Sequence, residues 1–284
     1  MNTRTPFEGQ AKAQAATPAG LAREIRLDIL DMVHRARASH IGACFSIVDA
    51  LAVLYGRVMR LRPQDPGWQD RDRFILSKGH AAAAVYATLA RIGVLSHADL
   101  QTYGADGSPY MTHVSHKIRG VEFSSGSLGH GLPFGTGKAL AAKRQGRGWR
   151  VFVMLSDGEM DEGSNWEALM FAGHHRLDNL IALIDYNKLQ SLASIAETLA
   201  LEPLADKLRA FGWALREVDG HDHAALEASL RAAPWSPGRP SVLVMHTTKG
   251  KGVSFMENRV EWHYKSPNDE QRAAARAELL QHHA

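Results

Sequence analysis

The sequence predicts one α/β domain in which a parallel β-sheet is sandwiched between helices. Three observations carry that expectation. The apolar runs at 151–155, 180–185 and 241–246 are continuous rather than alternating, as in strands buried on both faces. Between them lie segments with helical spacing, so strand and helix alternate along the chain. Finally, 284 residues, 45% of them apolar and 22% charged, suffice for one large core.

Taken in order, residues 1–20 are polar and contain Pro, Gly, Thr and Gln, which predicts a disordered N-terminal tail and no secretory signal. From residue 21 a single domain is expected to run to 284. Leu21, Ile25, Leu27, Ile29, Leu30 and Val33 fall mostly at three- and four-residue steps, predicting a helix that Gly42 closes. Ser46 is the expected cap of a second helix over 47–59. A short apolar segment, 73–76, turns through Ser77-Lys78-Gly79-His80 into an Ala-rich helix. Helices follow over 133–145, 164–175 and 222–233, separated by the apolar runs and by 213–220. Pro234, Pro237, Gly238 and Pro240 mark a turn before the last strand, not a linker, and a capped helix over 268–281 ends the chain.

Composition excludes several classes. The net charge of +3 is small, without a basic stripe interleaved with aromatics, so nucleic acid is not the expected partner. No apolar run approaches the length that spans a bilayer, so no membrane is expected either. Cys44 is the single cysteine, which suits a reducing compartment; a cytoplasmic location is the default.

The chemistry is expected at the carboxyl ends of the strands. Ser156-Asp157-Gly158 follows one strand and Asn187 follows the next, 187 − 157 = 30 residues later. That spacing fits strand, loop, helix, strand, and it brings a carboxylate and an amide oxygen to one sheet edge. Hard oxygens of this kind suit Mg²⁺, which completes its octahedron with phosphate oxygens and water; Ca²⁺ or Mn²⁺ are the alternatives. Either turn alone is a common loop; the pair with Glu162 and Gly163 between is more specific. Zinc is disfavoured, because Cys44 is alone and no His-x-x-x-His pair stands beside a carboxylate.

Fifteen histidines must be mostly incidental. His34, His97, His221 and His223 lie on or near helices, and structural or solvated roles suit them. His174, His175, His282 and His283 suit a solvated surface. His40, His80 and His263 sit in irregular, Gly-containing segments, where a loop can aim an imidazole at a ligand.

The stretch SDGEMDEGSNWEALMFAGHHRLDNLIALIDYN at 156–187 resembles the thiamine-diphosphate motif, which begins Gly-Asp-Gly and ends in Asn, in the form found in transketolases. ASHIG at 38–42 resembles that family's Ser-Gly-His-Pro-Gly. RDRFILSKGH at 71–80 is similar to Arg-Asp-Arg-Phe-X-Leu-Ser-X-Gly-His, and SSGSLGHG at 124–131 to Thr-Gly-Ser/Pro-Leu-Gly-Gln-Gly. The resemblance runs over about 21–265 and implies the thiamine-diphosphate-binding fold, in its diphosphate-binding domain. It further implies that Asp157, Asn187 and the main-chain carbonyl of Leu189 hold the metal, and that Gly158 and His80 contact the diphosphate. Gly126, Ser127 and Leu128 would line the cofactor rings. His40, His113 and His263 match histidines that face the sugars. Glu162 matches a glutamate near the contact between cofactor-binding domains, where it couples two active sites.

The pattern is not copied without change. Ser156 replaces the first Gly, Tyr186 a frequent Asp, and His130 the usual Gln; none removes a metal ligand. The loop at 112–121 departs more, leaving His116 as a rival to His113.

The glutamate that activates the cofactor belongs, in that family, to a pyrimidine-binding domain beyond the region matched here. The expectation is therefore a split enzyme: this chain binds Mg²⁺ and diphosphate, and a C-terminal pyrimidine-domain subunit completes an α₂β₂ assembly. It would transfer a two-carbon ketol unit between sugars or sugar phosphates and be inactive alone. Two competing readings are another thiamine enzyme, of 2-oxo acid dehydrogenase or deoxyxylulose-phosphate synthase type, and a non-catalytic regulatory or scaffold homologue.

Overall fold

Thr17 opens the first helix, accepting a hydrogen bond at Oγ1 from Gly20 N at 3.0 Å. The protein is described here by a computed structural model covering residues 17–281. Helix α1 is Pro18–Ala36, so it begins inside the segment expected to be disordered; the rest of that segment, 1–16, lies outside the described residues, as do His282 and His283. α1 stops at Arg37, whose left-handed φ of 48° lets its N–H reach the His34 and Val33 carbonyls. Gly42, the expected stop, instead lies inside the next helix, α2 (Ile41–Phe45).

α3 (Val48–Val53) runs directly into a π-helical turn over Leu54–Val58. Ser46 does not cap it; the residue before α3 is Ile47, with no side-chain cap. β1 (Arg73–Leu76) leads through a 3₁₀ turn, Gly79–Ala81, into α4 (Ala82–Arg91) and the short α5 (His97–Leu100). Then follow α6 (Gly131–Arg144), β2 (Val151–Ser156), α7 (Gly163–His174) and β3 (Leu180–Tyr186). The chain continues through α8 (Ile195–Thr198), α9 (Leu204–Ala210), β4 (Ala214–Asp219), α10 (His223–Arg231), β5 (Ser241–His246) and α11 (Asp269–Gln281). Asn268 and Gln271 exchange side-chain-to-backbone hydrogen bonds that cap α11.

The five strands are all parallel, in the order β1-β2-β3-β5-β4. Their alternating side chains divide the core into two layers. Phe152, Met154, Ile181, Leu183, Leu243 and Met245 pack with Ile25, Ile29 and Leu51 of α1 and α3. Val151, Val153, Leu155, Leu180, Ala182, Ile184, Val242 and Val244 pack on the other side with α6, α7 and α9. This accounts for the continuous apolar runs: every residue of β2 and β3 is buried. β4 is the exception; it is an edge strand, half-exposed, and its sequence ALREVD is correspondingly mixed.

Close packing fixes the strand ends. A Cβ on Gly135 of α6 would lie 2.5 Å from Val153 Cγ2 of β2, so only glycine lets the helix seat at that depth. Each fully buried Leu, Ile or Val contributes roughly 1.5–3 kcal/mol, and the sum holds the carboxyl edge in register: Ser156 pairs with Asp185, and Tyr186 with His246. Among the described residues no helix is long and apolar enough to cross a membrane.

Candidate functional site

The carboxyl ends of β1, β2, β3 and β5 border a cavity of about 250 Å³. From β2 come Asp157 and Gly158, from the segment after β3 Asn187, Leu189 and Gln190, and from the turn after β5 Lys249. Lys78 and His80 enter after β1, His40 from the start of α2, and His113, Gly126 and Leu128 from the loop before α6. His263 and Tyr264 close the remaining side. The loop before α6 is held to β1 by Ser125, which donates from Oγ to Leu76 O at 2.5 Å. A Cβ on Gly79 would meet the Ser125 carbonyl at 2.4 Å, so that approach requires glycine.

The cavity has two chemically distinct ends. At the first, Asp157 is 1% exposed, and its carboxylate accepts from Gly158 N at 2.8 Å and Lys188 N at 2.5 Å. Asn187 donates from Nδ2 to Asp185 Oδ2 at 3.0 Å, which orients its Oδ1 away from Asp185; Oδ1 accepts from Leu189 N at 3.1 Å. Lys188, between Asn187 and Leu189, has a left-handed φ of 65°, a conformation that non-glycine residues hold only when their surroundings impose it. Asp185 lies behind this row, accepting from Ser46 Oγ at 2.7 Å, Lys78 Nζ at 2.5 Å, Asn187 and the Thr247 hydroxyl.

Electrostatics separate the two carboxylates. Burial pushes the Asp185 carboxyl up, but the Lys78 charge and the hydrogen bonds from Lys78, Thr247 and Ser46 outweigh it and hold the group below its usual range. Burial and the nearby Asp185 charge push Asp157 up to about 7, against weaker opposition from two amides and Lys78. Asp157 thus lacks a cation of its own. The donor set beside it, a carboxylate, an amide oxygen and a main-chain carbonyl, is hard oxygen throughout and fits a small divalent cation. Lys249 Nζ rests on Leu189 O at 3.2 Å and Gln190 O at 2.8 Å, so a positive group already favours this corner. Burial and the Lys78 charge draw Lys249 down to about 8. Zinc-type ligation has no support: among the described residues no three His, Cys, Asp or Glu side chains cluster to hold a metal ion.

At the second end four imidazoles converge. The His40 ring centroid lies 5.2 Å from His80, 5.7 Å from His113 and 5.1 Å from His263, and His80 lies 5.5 Å from His263. His40 has φ 74°, and its N–H donates to His263 O at 2.7 Å. Burial, with added repulsion from His113, Lys78 and Lys249, lowers His40 to about 4. Burial and Lys249 lower His263 to about 3; burial also lowers His113, and burial with Lys78 takes His80 well below its usual value. Near neutral pH all four rings are therefore uncharged, each with one N–H and one lone pair. Such a cluster can hydrogen-bond several hydroxyls of one ligand and move a proton to or from one of them.

Most residues singled out in the sequence meet here, and some do not. Both His113 and His116 are exposed, but only His113 lines the cavity; His116 is turned to Ser124 Oγ, 2.7 Å from its Nδ1. Ser127 and Glu162 are exposed and outside the cavity lining. Glu162 stands at the N-cap of α7 without a side-chain capping bond. Sequence reasoning missed Lys78, Asp185, Lys249 and Ser46. Thr247-Thr248-Lys249-Gly250 directly follows β5, so the strand-end rule that found Asp157 would also have found Lys249.

Residues 18–282 match the transketolase family in its thiamine diphosphate binding domain. The chain is 39% identical over 246 residues to a subunit of the apulose-4-phosphate transketolase of Phocaeicola vulgatus, covering 87% of this chain and 88% of that one. It is 40% identical over 259 residues to the 6-deoxy-6-sulfo-D-fructose transketolase subunit SqwG of a Clostridium species, covering 91% and 94%. Among solved structures, the transketolase of Leishmania mexicana superposes with a TM-score of 0.87 at 33% identity, over 93% of this chain but 41% of that one. This chain thus spans nearly the whole of the subunit relatives and about two fifths of the solved transketolase. The chain belongs to the transketolase family and carries its thiamine-diphosphate-binding N-terminal part.

Proposed function

We propose that this chain is the cofactor-anchoring subunit of a two-chain transketolase, which transfers a two-carbon ketol unit from a ketose to an aldose. The observation that carries the reading is the pairing, in one cavity, of a cation-seeking carboxylate end with a cluster of uncharged histidines. Asp157, Asn187 Oδ1 and Leu189 O would hold Mg²⁺, or Ca²⁺ or Mn²⁺ in its place, with phosphate oxygens and water completing the shell. Gly158, His80 and Lys249 would face the diphosphate, and Gly126 and Leu128 the rings; Ser127, outside the cavity lining of this chain, would reach the rings only from its edge. Thiamine diphosphate, when bound, supplies the electron sink that a ketol transfer requires. His40, His113 and His263 would bind sugar hydroxyls. The uncharged rings of His40 and His113 leave a lone pair to accept a hydroxyl proton, whereas Nδ1 of His263 accepts from Lys249 Nζ at 3.1 Å, so that ring offers its Nε2–H as a donor.

The activating glutamate would come from a pyrimidine-domain partner subunit, the cofactor lying across the interface of an α₂β₂ assembly. Exposed Glu162 suits a place where two such sites communicate. Sugar phosphates, or the sulfonated sugars named for one relative, are the substrate class, and the cytoplasm is the expected compartment.

Calorimetric titration with thiamine diphosphate and Mg²⁺, with and without the co-expressed partner, tests the reading. Tight binding and ketol transfer are expected only with the partner. Full activity of this chain alone would overturn the split arrangement, and no binding in either case would favour a scaffold homologue.

A further inference from the structure

Lys249 reaches the cavity from the turn 247–250, and three amides of that turn have identified acceptors. Thr247 N donates to Tyr186 O at 3.3 Å and Gly250 N to Gly42 O at 3.0 Å. Thr248 N donates to a side chain, Nε2 of His221, at 2.8 Å. A backbone N–H can only donate, so Nε2 carries the lone pair and Nδ1 the proton. That proton faces Asp49 Oδ2 at 2.7 Å. Asp49 does not depend on His221 for its charge balance. It takes two bonds from Arg26, at 3.1 and 2.6 Å, and a further contact from His223 at 2.9 Å. Burial pushes the Asp49 carboxyl up, but Arg26 and the two imidazoles hold it well below its usual range. The carboxylate is thus a fixed acceptor that sets the tautomer and tilt of the His221 ring, as acceptors behind ligating histidines do.

We propose that His221 is a positioning residue. Oriented by Asp49, it holds the Thr248 amide and thereby sets the Lys249 ammonium at the diphosphate end of the cavity. The inference rests on the reading that Lys249 faces a diphosphate. Its rival is a purely structural imidazole that serves only Asp49.

Two substitutions separate these roles. His221→Asn places an amide N–H where Nδ1 stands, which keeps the Asp49 contact and leaves Thr248 N without an acceptor. His221→Gln places an amide oxygen where Nε2 stands and keeps the Thr248 bond. In the enzyme assembled with its partner at saturating Mg²⁺, His221→Asn is expected to weaken thiamine diphosphate about tenfold, with His221→Gln within about twofold of wild type. The His221→Asn loss should vanish in a Lys249→Ala background, since it acts through that side chain. In the full chain alone, hydrogen exchange at the Thr248 amide should accelerate in His221→Asn and not in His221→Gln. Unchanged affinity in His221→Asn, equal losses in both variants, or a loss that persists without Lys249 would overturn the inference. If the wild-type assembly binds no thiamine diphosphate, the reading of the cavity itself falls and takes this inference with it. Binding by wild type with an indifferent His221→Asn sinks the inference alone.

Discussion

Asp157 and Asp185 are both buried at the same edge of the sheet, yet they are built for opposite ends. Asp185 receives two hydroxyls, an amide and the Lys78 ammonium, and its charge is held firmly. Asp157 receives two backbone amides and no cation, and its carboxyl rises to about 7 under burial and the Asp185 charge. A carboxylate with all its partners supplied by the chain orients its neighbours; one left short of a positive charge is suited to a cation. The same sheet edge therefore holds a scaffold acid and, on the reading proposed above, a binding acid; Asn187 donates to the first, and its oxygen accepts from Leu189 N.

Breaking the scaffold pair should have the largest effect. Lys78→Met leaves the Asp185 charge buried and unpaired, and loss of one partner from such a pair costs about 3–5 kcal/mol of stability. Urea unfolding of the chain alone measures it. A loss under about 1 kcal/mol, within the range of an exposed pair, would mean that Asp185 is not the saturated acid described.

The binding acid should behave differently. Asp157→Ala is expected to leave the fold intact while lowering Mg²⁺-dependent thiamine diphosphate affinity by about a hundredfold or more, since even partners behind metal ligands are worth 10–100-fold. Its stability signature is also distinct. The folded carboxyl, at about 7 rather than 3.8, binds its proton more tightly than the unfolded one. The native chain then holds more protons between those values, so its stability is highest below the lower one and declines as pH rises through the window. The four lowered imidazoles have the opposite slope over much of this window but act on wild type and variant alike. The decline should therefore appear in the stability difference between wild type and Asp157→Ala, measured by melting scans in chelator. It should weaken when Mg²⁺ is added; a pH profile shared by variant and wild type would refute the assignment.

What the sequence made legible follows the same division. Asp157 and Asn187 were readable because each directly follows a continuous apolar strand, and local pattern alone places such residues at a ligand edge. The partners of Asp185 were not. Ser46 lies 139 residues away and Lys78 107 residues away, and nothing in their neighbourhoods announces the contact. Ser46 even carried a local signal for another role, a serine before a helical stretch, and tertiary contact overrode it. Gly42 was misread for the same reason, because Arg37 adopts the left-handed stop several residues earlier. Conversely, His80 and His263 stood out as loop histidines, while the closeness of the four rings is a property of the assembled fold.

The smallest effect expected tests the scaffold acid at its weakest donor. Ser46 Oγ lies 2.7 Å from Asp185 Oδ2 and 3.1 Å from Ala43 O, and its single proton goes to the charged acceptor, where a hydrogen bond is stronger. Ser46→Ala removes that donor without opening a sizeable cavity, and Lys78, Asn187 and Thr247 remain. A hydrogen bond to a charged group is worth about 1.5–3 kcal/mol, and with three donors left the loss should fall at the low end. Urea unfolding should therefore show a modest loss, with thiamine diphosphate affinity barely changed because Asn187 keeps its hold on Asp185. If affinity instead fell as far as in Asp157→Ala, the two acids would be one coupled unit, and the division between scaffold and binding carboxylate would fail.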